Sequence, residues 1–179
     1  VVRGDDGLWW MFFTGSTRAE GTKNIQSIGA ATSPDLVTWT RAASNPLLRA
    51  DPRHYELLAD GQWRDEAFRD PWVLHTDGGW HMLITARANH GPADDRGVIG
   101  HATSLDLKRW TLQAPLTQPG QGFGHLEVPQ VECVDGQWLL LFSCLGVDLA
   151  QRNRDAGRKG GVWVATASGP LGPYDLENA

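Results

Sequence analysis

Cysteine is scarce in this chain: Cys133 and Cys144 are the only two among 179 residues, and neither stands in a C-x-x-C or other zinc-ligand spacing. A disulfide framework is therefore excluded, and both cysteines read as small buried strand residues. Long apolar runs are lacking too. The longest lies near Leu139 to Phe142, far short of the roughly 18 to 20 residues that cross a bilayer as a helix, so no membrane span is expected. Positive charge is not in excess: 16 basic against 21 acidic residues give a net charge of -5, without a long block of one sign. Nucleic acid and anionic lipid are poor partners for such a surface. The six histidines (His54, His75, His81, His90, His101, His125) form no H-E-x-x-H or similar pair, and no acidic spacing compels calcium, so no metal or other cofactor is expected. Helical periodicity is missing throughout. Val1-Val2-Arg3 offers neither an initiator methionine nor a signal-peptide pattern, and a piece of a longer protein is expected.

What the chain has is glycine, proline and tryptophan, 21, 10 and 9 of them, within a 41% hydrophobic composition that suits a globular core. Passages repeat at wide intervals. Leu8 to Ser16, followed by Ile28-Gly29-Ala30-Ala31-Thr32-Ser33-Pro34-Asp35-Leu36-Val37-Thr38-Trp39, is matched by Gly79 to Arg87, followed by Ile99-Gly100-His101-Ala102-Thr103-Ser104-Leu105-Asp106-Leu107-Lys108-Arg109-Trp110. A weaker third copy runs from Gln137 to Cys144 and from Val162 to Ser168, with Gly169-Pro170-Leu171-Gly172-Pro173-Tyr174 in place of the S-x-D-L-x-x-W ending. Turn signals precede each Trp-rich run: Asp5-Asp6-Gly7, Asp77-Gly78-Gly79 and Asp135-Gly136.

The order strand, tight turn, strand, loop, strand, turn, strand describes a four-stranded antiparallel meander, one blade of a β-propeller. We therefore expect an all-β chain, a partial propeller domain over residues 1–179 with about three blades of a probable five, at about 1–45, 68–115 and 126–176. Blades bury their faces against neighbours, so residues outside the chain are expected to close the ring. In the S-x-D-L-x-x-W element, Ser33, Asp35, Ser104 and Asp106 read as turn formers, with Trp39 and Trp110 covering the blade edge. The loops Asn89 to Gly97, with Asp94 and Asp95, and Arg18 to Lys23 could reach over a channel but read more simply as solvent-exposed connections.

Two carboxylates stand out. Asp70, in Phe68-Arg69-Asp70-Pro71, and Glu127, in Leu126-Glu127-Val128-Pro129-Gln130, each lie just ahead of the strand that opens a repeat. Corresponding places on two blades would bring them to one mouth of the channel. Glycoside hydrolysis needs such a pair, one protonating the leaving oxygen and the other attacking or stabilising positive charge on the sugar. Taken singly, an Asp before Pro is an ordinary turn former and a Glu near Pro an ordinary strand end. The repeat narrows that gap without closing it. Arg69 could hold Asp70 ionised, contact substrate hydroxyls, or form a plain ion pair.

Phe68-Arg69-Asp70-Pro71 resembles the R-D-P motif of glycoside hydrolase family 32, with related forms in families 43 and 68. Glu127-Val128-Pro129 is similar to that family's E-C-P motif, with Val for Cys and Gln130 where an Asp is usual. Phe13-Thr14-Gly15-Ser16 and the Ile28 to Trp39 passage are similar to its second blade. The resemblance covers nearly the whole chain and implies a five-bladed propeller that hydrolyses β-fructofuranosides with retention, with carbohydrate as the partner. It implies Asp70 as transition-state stabiliser, Arg69 as its partner in substrate binding, and Glu127 as general acid/base. The family's nucleophile motif, W-x-N-D-P-N-G-like, has no counterpart here and is expected upstream of Val1, so that this chain by itself would hydrolyse nothing. The departures at Val128 and Gln130 leave open a family 43-like arabinofuranosidase or xylosidase, a fructosyltransferase, or a non-catalytic carbohydrate-binding propeller.

Overall fold

In a computed structural model that describes residues 1–18 and 23–179, the chain folds as three antiparallel sheets in sequence order. The first holds β1 (Val2–Arg3), β2 (Trp9–Arg18), β3 (Asn24–Ser33) and β4 (Thr40–Arg41), with β5 (Leu48–Arg49) also paired to β3. The second is β6 (Phe68–Thr76), β7 (Gly79–Arg87), β8 (Gly97–Ser104) and β9 (Thr111–Gln113). The third is β10 (Glu127–Val134), β11 (Gln137–Cys144) and β12 (Gly161–Ala167). Each sheet is a meander, as the repeat predicts, and two-residue turns close the opening hairpins of the second and third. Asp77-Gly78 joins Thr76 to its partner Gly79, and Asp135-Gly136 joins Val134 to Gln137. Asp135 and Gly136 both have positive φ, 50° and 81°, the geometry that matches a tight turn to twisted strands.

The third copy departs from the four-strand pattern: beyond β12 only a single bridge, Ala167 to Tyr174, stands where a fourth strand is expected. Pro170 and Pro173 cannot donate to a ladder there. Gln151–Asp155 forms one helical turn, which the sequence does not announce. It is fixed by tertiary contacts, the Gln151 amide donating to Asp94 at 2.7 Å. Cys144 is buried as expected, whereas Cys133 is exposed: it follows Pro129 and Val131 on their face of β10, but burial stops at Val131 and the strand's last three residues, next to the Asp135-Gly136 turn, are exposed.

The middle sheet is covered on both faces, and its side chains alternate between them. Met82, Ile84 and Ala86 of β7 pack with Ile28, Leu48 and Phe68 in the core shared with the first sheet. Leu83, with Ile99, packs toward Leu126, Val131, Leu140 and Phe142 in the core shared with the third. The S-x-D-L-x-x-W elements are turn structures: Asp35 accepts the amides of Val37 and Thr38 at 2.9 and 2.7 Å, and Asp106 those of Lys108 and Arg109 at 2.9 and 2.8 Å. These bonds hold the exposed Asp35 carboxyl down to about 2. Trp39 and Trp110 each donate their indole N–H to the carbonyl of Leu36 or Leu107. Asp95 is not an exposed loop residue. It is buried and accepts the amides of Gly122 and Phe123 at 2.6 and 3.0 Å, bracing the entry to the third sheet. Of the Arg18 to Lys23 loop, residues 19–22 lie outside the described residues. Among the described residues no helix is long and apolar enough to cross a membrane.

Candidate active site

β6 is the strand on which the sheets converge, packing against β2 and β3 of the first and β10 of the third. Asp70 and Glu127 lie within the first turns of pleat of β6 and β10, not ahead of them. Their places are offset by one residue. Each strand carries an irregularity before its proline, between Arg69 and Trp72 and between Glu127 and Gln130, and the residue preceding proline has positive φ: 56° at Asp70 and 51° at Val128. Asp70 thus corresponds to Val128, and Arg69 to Glu127. The bulges turn two otherwise alternating side chains toward one place.

Arg69 joins the two carboxylates. Its Nη2 donates to Glu127 Oε1 in a short contact, and its Nε lies 3.5 Å from Asp70 Oδ2. Nη1 donates to Gln26 Oε1 at 3.2 Å, and Nη2 also lies 3.3 Å from His125 Nδ1. The guanidinium is only 14% exposed, so these bonds form largely out of water. Its nearest carboxylate is therefore Glu127 rather than the adjacent Asp70. Asp70 is held separately: its Oδ2 accepts the Thr85 hydroxyl at 3.1 Å and the Val128 amide at 3.2 Å, and its own amide donates to Thr14 Oγ1 at 3.0 Å. The one Thr85 hydroxyl hydrogen is shared between Asp70 Oδ2 and the Leu126 carbonyl, which lies 2.9 Å away. Glu127 Oε2 has no protein partner among the described residues.

Behind Arg69 stands a layer that motif reading did not find. His125 is buried, with Nδ1 3.7 Å from Glu127 Oε1 and 3.9 Å from Asp148 Oδ2. Burial above all, then the guanidiniums of Arg69, Arg87 and Arg64, pushes its imidazole down to about 2. Asp148, fully buried, takes Arg64 bidentately at 2.7 and 2.6 Å. Trp63 meets the His125 ring edge-on at 5.1 Å, with Arg87 3.8 Å from its ring centre on a face and Arg64 at 5.0 Å. Arg87 in turn pairs with the buried Glu56 at 3.1 Å. The one sequence signal for His125 is its spacing of two from Glu127 in extended chain. Gln26, Thr14, Arg64 and Asp148 carried none. Among the described residues no cluster of His, Cys, Asp and Glu has metal-binding geometry.

Antiparallel meanders packed face to face in sequence order define the β-propeller class. The chain belongs to glycosyl hydrolase family 32: the model of the family's N-terminal domain matches residues 1–168. It is 30% identical over 148 residues to a sucrose-6-phosphate hydrolase of Pediococcus pentosaceus, covering 82% of this chain and 26% of that one. It is 35% identical over 83 residues to a raffinose invertase of Escherichia coli, covering 45% and 16%. Among solved structures, an inulosucrase from Halalkalicoccus jeotgali bound to kestose superposes with a TM-score of 0.76 at 23% identity, covering 97% of this chain and 48% of that one. The catalytic domain of a Microbacterium saccharophilum β-fructofuranosidase gives 0.71 at 18% identity, covering 98% and 45%. The chain thus spans about a quarter or less of these curated relatives and about half of these solved chains.

Proposed function

We propose that the chain forms the part of a β-fructofuranoside-processing propeller that carries two of its three carboxylates. Glu127 is the general acid/base and Asp70 the transition-state stabiliser of a retaining reaction on sucrose-type fructosides, and the attacking carboxylate comes from outside residues 1–179. The observation that carries this reading is the Arg69 guanidinium between Glu127 and Asp70, which draws on two sheets to hold two carboxylates at one point. With Oε1 of Glu127 taken by Arg69, Oε2 is the oxygen left to carry the proton to the departing glycosidic oxygen, and to take one from water in the second step. Asp70, fixed through one oxygen by Thr85 and Val128, has the other for sugar hydroxyls as the ring gains positive charge. Arg69, with donors already directed at four side chains, acts as a clamp rather than as a contact to substrate. The relatives named as a sucrose-6-phosphate hydrolase and a raffinose invertase support the substrate class.

Hydrolysis and fructosyl transfer share these residues and differ in what reaches the glycosyl-enzyme. The test is Glu127→Gln in the complete protein. The expected result is a loss of kcat/KM on sucrose of about 10²- to 10⁴-fold, with far less loss on an activated aryl fructoside whose leaving group needs no proton. Equal activity of variant and parent on both substrates overturns the assignment, and chromatography of the products separates transfer from hydrolysis.

A further inference from the structure

Arginine can only donate hydrogen bonds, so the nitrogen of His125 that faces Arg69 Nη2 at 3.3 Å must offer a lone pair. That settles the tautomer: Nδ1 is bare and the proton sits on Nε2. The ring is neutral, in keeping with its burial and with the three guanidiniums around it. Nε2–H is buried and finds no partner among the described residues, and the Trp63 ring packs edge-to-face against the imidazole. A buried unpaired donor costs about 1–3 kcal/mol, and a leucine or methionine at 125 would fill the same space without that cost. The lone pair on Nδ1 is the property that no apolar residue supplies.

We propose that His125 is a positioning residue for the acid/base: its Nδ1 accepts from Arg69 Nη2 and fixes the guanidinium against Oε1 of Glu127, so that Oε2 faces the leaving group. Arg69 Nη2 has two hydrogens, and the two acceptors that take them are Glu127 and His125. Gln26 anchors the opposite nitrogen at 3.2 Å. Losing the acceptor at 125 leaves one Nη2 hydrogen without a partner, so the guanidinium plane can turn and let Glu127 swing, while Asp70 keeps its bonds to Thr85, Val128 and Thr14. The effect therefore belongs to proton donation and not to charge stabilisation.

This inference rests on Glu127 being the acid/base, and the test keeps the two apart. In the complete protein, His125→Leu is expected to lower kcat/KM on sucrose by about 10- to 100-fold, the scale of a displaced catalytic group, and to leave an activated aryl fructoside within about threefold. His125→Asn places an amide oxygen near the position of Nδ1 and is expected to recover most of the loss. His125→Gln, whose polar atoms reach the position of Nε2, is not. A His125→Leu protein as active as the parent on sucrose, an equal loss on both substrates, or rescue by Gln as good as by Asn each overturns the proposal. If Glu127→Gln is itself silent, it is the acid/base assignment that fails.

Discussion

The Asp70 carboxylate accepts the main-chain amide of Val128 at 3.2 Å, 58 residues on, so that each of the two proline motifs is closed by the other. The bond crosses from the second sheet to the third. It places the side chain proposed to stabilise charge one residue from the proposed acid/base.

Asparagine at position 70 can keep that bond, the one to Thr85, and the left-handed backbone conformation, which Asn tolerates well. In the complete protein, Asp70→Asn is therefore expected to shift unfolding by less than about 1 kcal/mol while reducing kcat on sucrose by about 10²-fold or more, by loss of charge alone. Thermal melts and steady-state kinetics on one preparation check both halves. Full activity would remove Asp70 from the site.

Val128 holds φ of 51°, where a β-branched side chain is strained by about 1–3 kcal/mol, and it is 52% exposed, so little burial is at stake. Glycine relieves the strain at an entropic cost of about 0.5–1 kcal/mol. Val128→Gly should raise the melting midpoint by about 2–4 °C. Val134→Gly, equally exposed on the same strand but without positive φ, should lower it. Melting curves of the two variants decide.

Removing Arg64 leaves the buried Asp148 without its bidentate partner. Arg64 is half exposed, so water softens the effect, and Arg64→Ala is expected to cost about 3 kcal/mol. Asp148→Asn introduced into that variant should restore part of the loss. A denaturant titration of the single and double variants measures the coupling, and additive effects would show that the pair does not interact.

Acid should weaken the fold well before carboxylates protonate. His81 Nδ1 and His101 Nε2 are 2.9 Å apart in stacked rings, and burial, then the neighbouring His81, brings His101 down to about 4. A folded value below the unfolded 6.5 means that the unfolded chain binds more protons between them. The stabilisation is whole above about pH 6.5 and fades as pH falls toward 4, by on the order of 3 kcal/mol. His125 adds the same sign down to about 2. Asp35 and Asp51, held at about 2, lose theirs only below about pH 4. The melting midpoint should fall between pH 7 and pH 4.5, and His101→Gln should flatten that slope. A parent slope as flat as the variant's refutes the account.

The sheets were legible because a meander is local: Trp-rich strands, Asp-Gly turns and the Ser33/Asp35 and Ser104/Asp106 turns declare themselves within a dozen residues. That Asp70 and Glu127 come close together, bridged by Arg69, was legible as a repeat of motifs. Its geometry was not, since both bulges, and hence the one-residue offset that makes Arg69 the counterpart of Glu127, depend on backbone conformation. His125, Gln26, Arg64 and Asp148 were invisible for a different reason. Their hydrogen-bond partners lie 43 to 84 residues away, and apart from the two-residue spacing of His125 from Glu127 nothing near them in sequence records the contact. The missing fourth strand of the third sheet could have been read from Pro170 and Pro173, which bar ladder donation.

Arg69 takes one acceptor from each sheet, Gln26 from the first, Asp70 from its own and Glu127 from the third, and this bears on the order of folding. Hairpins close early, over short loops, whereas the Arg69–Glu127 and Arg64–Asp148 contacts join residues 58 and 84 apart and form only when finished sheets dock. In refolding of the complete protein, strand signal in the far ultraviolet should return first and the fructoside turnover proposed above later, at the rate of docking. Enzymatic activity then serves as a clock for the last inter-sheet seam rather than for secondary structure.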